Sequence, residues 1–285
     1  MGGARRDYSE TSIVTDFIPP PGAPPQRPGW RVVPYVPPPP PLPYFGPARA
    51  ALLFLIYLGT QLFVSAGVAM AGAFWWMANR GLSFTKAGNL DAAINATMGP
   101  TIIATVLVSG IVTIIVGRVW TAHLRGASGA EGIGWRRPTA KQLIIASIIG
   151  AACGALWIAV VAVLPPKDPT TSLGPMAKMV KDPLTHFGWT LVAVLLAPPV
   201  EEILFRGMFL AGFVRRWGLG AGSAMTTALF VMLHLPETIH YPLATLAITM
   251  LALVLLAVRL QTDSIFSAIA LHATYNLVVA WATWG

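Results

Sequence analysis

Beyond Phe45 the chain is written in long apolar runs separated by short polar segments. A helix that crosses a bilayer needs roughly 17–25 mostly apolar residues. Seven runs meet or approach that length, at about 50–77, 100–117, 142–164, 188–212, 219–235, 241–258 and 264–283. The pattern predicts an all-α fold, a polytopic transmembrane helical bundle of about seven spans. The run 100–117 is short, and a tight turn at Leu235-Pro236 divides 219–235 from 241–258, so six and eight spans are the neighbouring counts. The first run begins too far from the start, and is too long, for a secretory signal, and is expected to stay as an anchor.

Composition agrees with a lipid solvent. The chain is 55% hydrophobic and 11% charged, against about 25% charged in soluble domains, and its mean hydropathy is +0.66. A net charge of +8 would suggest nucleic acid in a soluble protein, but here the basic residues sit in short segments between apolar runs, where they set orientation in a membrane. No nucleic-acid partner is expected. Arg27, Arg31 and Arg49 precede the first run. Arg118, Arg125, Arg136, Arg137 and Lys141 lie between the second and third, Arg215 and Arg216 follow the fourth, and Arg259 follows the sixth. With seven spans these sets share one side, which predicts a multi-pass protein of the cell membrane with a cytoplasmic amino terminus. Arg80, Lys86, Lys167, Lys178 and Lys181, partly balanced by Asp91, Asp168 and Asp182, fall opposite.

Residues 1–44 hold 13 of the 25 prolines, a composition that favours extended, unpacked chain, so they are read as a disordered proline-rich cytoplasmic tail. Residues 45–139 are read as amino-terminal transmembrane helices and a basic cytoplasmic loop. The stretch from Gly132 to Leu143, with Trp135, Arg136 and Arg137, is expected to lie along the interface. Gly150 and Gly154 form a GxxxG that permits close helix approach. The single cysteine, Cys153, allows no intramolecular disulfide and has no charged neighbour in sequence to activate it. The sequence carries no signal of oligomeric state.

An ionisable side chain inside a span is expensive, and so marks a functional hypothesis. Glu201, Glu202, Arg206, His234 and His272 all fall inside the last four runs, with Asn276 as an added amide. Pro198 and Pro199 disfavour helix just before them, so a helix restarting there has both glutamates in its first turn, where its dipole favours carboxylates. Glu202 and Arg206 are i and i+4 and can pair, while Glu201, about 100° away, is left for chemistry. Phe230 and His234, and His272 and Asn276, are also i and i+4 pairs. At a rise of about 1.5 Å per residue, Glu201 lies about 21 Å from Arg215, His234 about 24 Å from Gly218, and His272 and Asn276 about 13 and 19 Å from Asp263. Glu201, His234 and Asn276 are thus expected at similar depth, with His272 about one turn nearer the cytoplasm, and three helices can share one polar cavity. His123 and His186 read as interfacial and unpartnered, and His240 and Glu237 as solvated turn residues. No Walker loop, GxGxxG or HExxH is present.

Taken together, Glu201-Glu202-x-x-x-Arg206, Phe230-x-x-x-His234 and His272-x-x-x-Asn276 resemble the three motifs of the CPBP family (CAAX protease and bacteriocin-processing, or ABI), which includes the type II CAAX prenyl endopeptidases. The resemblance covers about residues 140–283, so 140–285 is read as a protease core. It implies an intramembrane endopeptidase acting on a membrane-associated or prenylated CAAX-type protein or peptide. By the resemblance, Glu201 and His234 activate a water, His272 and Asn276 stabilise the oxyanion, and Glu202, Arg206 and Phe230 give structural support. Two chemistries fit Glu201, His234 and His272. One is a metal-free, glutamate-activated water, the preferred reading. The other is one divalent metal, zinc, with an open coordination position. The competing classes are a non-catalytic membrane partner or immunity protein, in which the cluster serves packing, and a proton-coupled transporter using Glu201 and His234 as a relay.

Overall fold

In this computed structural model the described residues are 46–83, 85–86, 88–122, 132–167 and 183–284. The proline-rich tail, His123, Arg125, Asp168, Lys178, Lys181, Asp182 and the Glu237 side chain lie outside the described residues. The described residues are mostly helical, with no strand and one isolated bridge between Trp135 and Ser264.

Helix α1 spans Pro47–Ala78 and opens on a proline, whose fixed φ suits a first helical position. Helix α2 spans Asn89–Trp120, with Asp91 in its first turn, where the helix dipole favours an acid. It is longer than the run 100–117 because Pro100 lies inside it rather than at its start. Proline φ is helical, and the single missing bond is tolerated in a membrane-spanning helix. Helix α3, Ala140–Val163, begins with a capping box in which Thr139 Oγ1 accepts from Gln142 N–H and Gln142 Oε1 accepts from Thr139 N–H.

The next stretch is continuous in hydrogen bonding but not in direction. It comprises α4 (Pro183–Leu191), a π turn (Val192–Leu196), α5 (Ala197–Glu202), a π segment (Ile203–Phe209) and α6 (Leu210–Thr238). The portion Pro183–Pro236 is 54 residues, which as one straight helix would be about 80 Å long, far beyond a hydrocarbon core of about 30 Å. It breaks at Gly218, where φ is 80° and ψ 168°, a conformation open essentially to glycine alone. Beyond the break the chain folds back. A Cβ on Gly222 would stand 2.5 Å from the Val214 nitrogen, and the Phe205 and Phe230 rings meet edge to face with centroids 5.1 Å apart. Helices α7 (Pro242–Thr262) and α8 (Ile265–Trp284) complete the fold. Six helical stretches are long and apolar enough to cross a membrane. The Gly218 reversal lies within the fourth, so the expected count of about seven is close to the six candidate spans among the described residues. The expected turn at Leu235-Pro236 is displaced: α6 runs through Pro236 to Thr238, and the chain turns at Ile239-His240.

Lipid-facing and protein-facing sides differ sharply. Leu55, Leu62, Phe63 and Trp75 of α1 are exposed, as outer membrane surfaces require, whereas Ala50 and Leu53 are fully buried against the segment Ile203–Phe209. Every residue of that segment is buried. A second cluster joins Ala146 of α3 to Leu251 and Leu255 of α7 and to Ala268 and Leu271 of α8. The GxxxG sits at this contact. A Cβ on Gly150 would lie 2.1 Å from the Leu271 carbonyl oxygen, so α3 and α8 touch backbone to backbone, and Thr274 Oγ1 donates to the Ser147 carbonyl 3.1 Å away.

One expectation about the loops is corrected. Residues 132–135 do not lie flat on the interface: Gly132, Ile133 and Gly134 are buried, Ile133 completely. Arg259 pulls this segment in. Its guanidinium is fully buried and donates to the carbonyls of Gly132 (2.6 Å) and Arg206 (3.2 Å) and to Asp263 Oδ1 (3.0 Å). Asp263 Oδ2 also accepts from Arg136 at 3.1 Å. Arg259 is therefore an internal tie and not a free basic loop residue. Burying an unpaired cation is prohibitive, and the desolvated carbonyls of an irregular segment supply the partners that make it tolerable.

Candidate active site

The site begins with the two prolines. In the π turn the Ala197 N–H bonds to the Val192 carbonyl. The next N–H in line, for the Ala193 carbonyl, would belong to Pro198, which has none. Asn276 of α8 reaches across and donates from Nδ2 to the Ala193 oxygen at 2.7 Å. The sequence break is thus repaired by a side chain from another helix, which fixes α8 against this stretch and commits one of the two Asn276 amide hydrogens.

One turn later stand the glutamates. Glu202 and Arg206, 0% and 1% exposed, pair at 3.0 Å between Oε1 and Nη1. Arg206 also donates to the Ala252 carbonyl at 3.2 Å and lies over the Phe230 ring, 4.2 Å from its centroid. The same Glu202 Oε1 accepts from His272 Nδ1 at 2.9 Å. Glu202 is therefore held from two sides, and it in turn fixes the His272 ring, so that Nε2 faces away from it. His234 is oriented by a different device: its Nδ1 donates to the Phe230 carbonyl at 2.9 Å, again leaving Nε2 as the nitrogen turned to the site. Phe230 is a shared platform. Its ring underlies Arg206, meets Phe205, and lies 4.5 Å from the His234 ring and 6.2 Å from the His272 ring by centroids.

Glu201 is the remaining group. Its Oε2 is buried with no hydrogen-bond partner and stands 3.8 Å from both His234 Nε2 and His272 Nε2. That separation exceeds a direct hydrogen bond and is one a single water can bridge. Glu201, His234, His272 and Asn276 all line one cavity of about 580 Å³, with the Glu202–Arg206 pair behind its wall. The structure thus brings together every residue singled out in the sequence. The expected offset of His272 by a turn is corrected, since its ring touches Glu202 and faces Glu201. A π segment closes i to i+5 and packs more residues into each turn, so a rise of about 1.5 Å per residue overstates the height of Glu201 above Arg215.

Among the described residues no group of three His, Cys, Asp or Glu side chains is arranged to hold a metal ion. Two ligands bound to zinc at about 2.0–2.1 Å with tetrahedral angles stand roughly 3.3 Å apart. The two 3.8 Å separations around Glu201 Oε2 are wider than that, so the trio as placed does not fit a tetrahedral zinc site.

Several cavity residues went unread in the sequence. His186 and Trp189 of α4 line the cavity, as do Tyr57 and Gln61 of α1. His186 was expected to be unpartnered but has an interaction partner. Gln61 had a visible signal, as a polar amide in an apolar run, but a search confined to ionisable groups passes over it. Arg259 read as a loop cation because nothing local reveals its carbonyl partners. No curated protein and no solved structure matches the chain. Residues 183–278, about a third of the chain and containing all three motifs, match the family model described as type II CAAX prenyl endopeptidase Rce1-like, so this segment is similar to that family.

Proposed function

We propose that the protein is an intramembrane endopeptidase that hydrolyses a peptide bond of a membrane-associated or prenylated CAAX-type protein or peptide. The observation that carries this reading is the convergence of Glu201, His234 and His272 on one cavity, with both imidazole Nε2 atoms 3.8 Å from Glu201 Oε2. An isolated carboxylate or imidazole in an apolar bundle is costly. Three that face each other across a gap of water size have a chemical use.

In the proposed reaction a water between Glu201 and His234 loses a proton to the Glu201 carboxylate as its oxygen attacks the scissile carbonyl carbon. The resulting oxyanion accepts hydrogen bonds from Nε2–H of protonated His272 and from the second amide hydrogen of Asn276. Glu202 offsets the charge of the His272 imidazolium through Nδ1, and Arg206 holds Glu202. Collapse of the adduct breaks the C–N bond, and the proton taken by Glu201 passes to the leaving amine, with His234 as the neighbouring relay. Donors fixed in a water-poor cavity stabilise such an anion strongly, because they need no reorganisation. The scheme runs without a metal. The residues at the basic end, Arg49, Arg118, Arg136, Arg137 and Lys141, would face the cytoplasm of a cell membrane by the positive-inside rule.

The test is cleavage of a prenylated CAAX peptide by purified protein in liposomes. Glu201→Ala and His234→Ala are each expected to abolish cleavage while inserting at normal levels, and a chelator is expected to leave the parental rate unchanged. Full activity in both variants would remove the enzyme reading in favour of a packing role. Loss of activity on chelation, restored by zinc, would replace the metal-free scheme.

A further inference from the structure

The matched family segment begins at residue 183, yet the cavity is closed on one side by α1, far upstream. The interior face of α1 is set by Ala50, Leu53, Phe54, Tyr57 and Gln61, which recur at the i, i+3, i+4, i+7 spacing of one helix face. Phe54 anchors this face to the π segment, with ring centroids 6.5 Å from Phe205 and 5.7 Å from Phe209. Beyond that anchor α1 continues to Gln61, near the middle of the helix Pro47–Ala78, and Glu201 lies just upstream of the π segment Ile203–Phe209. A mid-helix position places Gln61 at membrane depth, and Gln61 and Glu201 both line the cavity.

A primary amide at that depth needs a partner, because hydrocarbon offers none. Among the described residues the Gln61 side chain makes no hydrogen bond. Other polar groups on the wall are engaged: Asn276 Nδ2 with the Ala193 carbonyl, Thr238 Oγ1 with the His234 carbonyl, and His186 and Thr190 with partners of their own. Gln61 keeps an N–H donor and a C=O acceptor side by side, the complement of the N–H and C=O that one residue of an extended peptide presents on the same side.

We propose that Gln61 binds the substrate backbone, its amide pairing with the N–H and C=O of one extended residue beside the scissile bond while Glu201 and His234 act on that bond in the same cavity. The inference rests on the peptidase reading. It adds a binding residue outside the matched segment and a recognition mode that is blind to substrate side chains. An extended peptide entering a water-poor cavity must have its backbone groups paired, and main-chain pairing gives affinity without sequence preference.

The experiment measures binding and cleavage separately. Binding of a fluorescent prenylated CAAX peptide is followed in the Glu201→Ala background with and without Gln61→Leu, and kcat and KM are measured for Gln61→Leu alone. The peptide is then compared with an analogue in which an ester replaces the amide next to the scissile bond. Gln61→Leu is expected to weaken binding roughly three- to tenfold and to raise KM more than it lowers kcat. Its thermal stability should be at least parental, since leucine suits a lipid-embedded helix. The ester should weaken binding to the parental cavity and make no difference once Gln61 is leucine. Parental affinity in Gln61→Leu, or an equal ester effect in both proteins, overturns the assignment and leaves the peptidase reading standing. Cleavage that persists in Glu201→Ala removes that reading, and the Gln61 assignment with it.

Discussion

Removing the Glu202 charge is the most informative single perturbation, because its energetic and catalytic effects can be separated. Glu202 and Arg206 are 0% and 1% exposed and 3.0 Å apart, so solvent screening does not soften the loss. Glu202→Gln leaves a buried guanidinium without its paired carboxylate, facing a neutral amide, the Ala252 carbonyl and the Phe230 ring face. Breaking one side of a buried pair costs about 3–5 kcal/mol, roughly a hundred- to a few thousand-fold in the folding equilibrium. Because much of that cost is the orphaned charge, replacing both partners with apolar residues should recover most of it. Glu202→Leu combined with Arg206→Met is therefore expected to come within about 1 kcal/mol of the parent. Activity should not return, because His272 Nδ1 loses its acceptor and the ring its orientation. The assay is reversible unfolding in mixed micelles for the parent, the single variant and the double variant, with peptide cleavage measured on each. A Glu202→Gln variant as stable as the parent, or a double variant that regains cleavage, would refute the argued roles of the pair.

Other expectations follow from close approaches and backbone geometry. Gly150→Ala forces a methyl to within 2.1 Å of the Leu271 carbonyl oxygen. It should destabilise by about 1–3 kcal/mol and reduce cleavage by shifting α8 and His272, whereas Gly67→Ala, with nothing within 4 Å, should be neutral or slightly stabilising in the same thermal melt. Gly218→Ala should cost about 1–3 kcal/mol although space is open around it, since φ there is 80°; an unchanged midpoint would argue against the reversal. Arg259→Lys puts one ammonium where a guanidinium bridges Gly132, Arg206 and Asp263. It should lower kcat with KM near parental and speed hydrogen exchange in residues 132–139, and unchanged exchange would deny the tie.

The sequence by itself determined the solvent, the helices and the local pairs. Hydropathy over windows of bilayer length is a property of consecutive residues, and so the seven runs were legible even where Pro100 and Pro236 moved their ends. Spacing at i and i+4 likewise foretold that Glu202 would meet Arg206, and that Phe230 and His234, and His272 and Asn276, would share a helix face. What only the tertiary structure decided were the arrangements between helices: Asn276 on the carbonyl that Pro198 leaves without a donor, His272 on Glu202, Gln61 and Glu201 lining one cavity, and the buried Arg259 drawing residues 132–134 inward. These depend on how helices rotate, tilt and change pitch at the π segments, and such rigid-body quantities are set by packing summed over the whole bundle. No window of sequence encodes them, which is why depth counted at a uniform rise misplaced His272 by a turn.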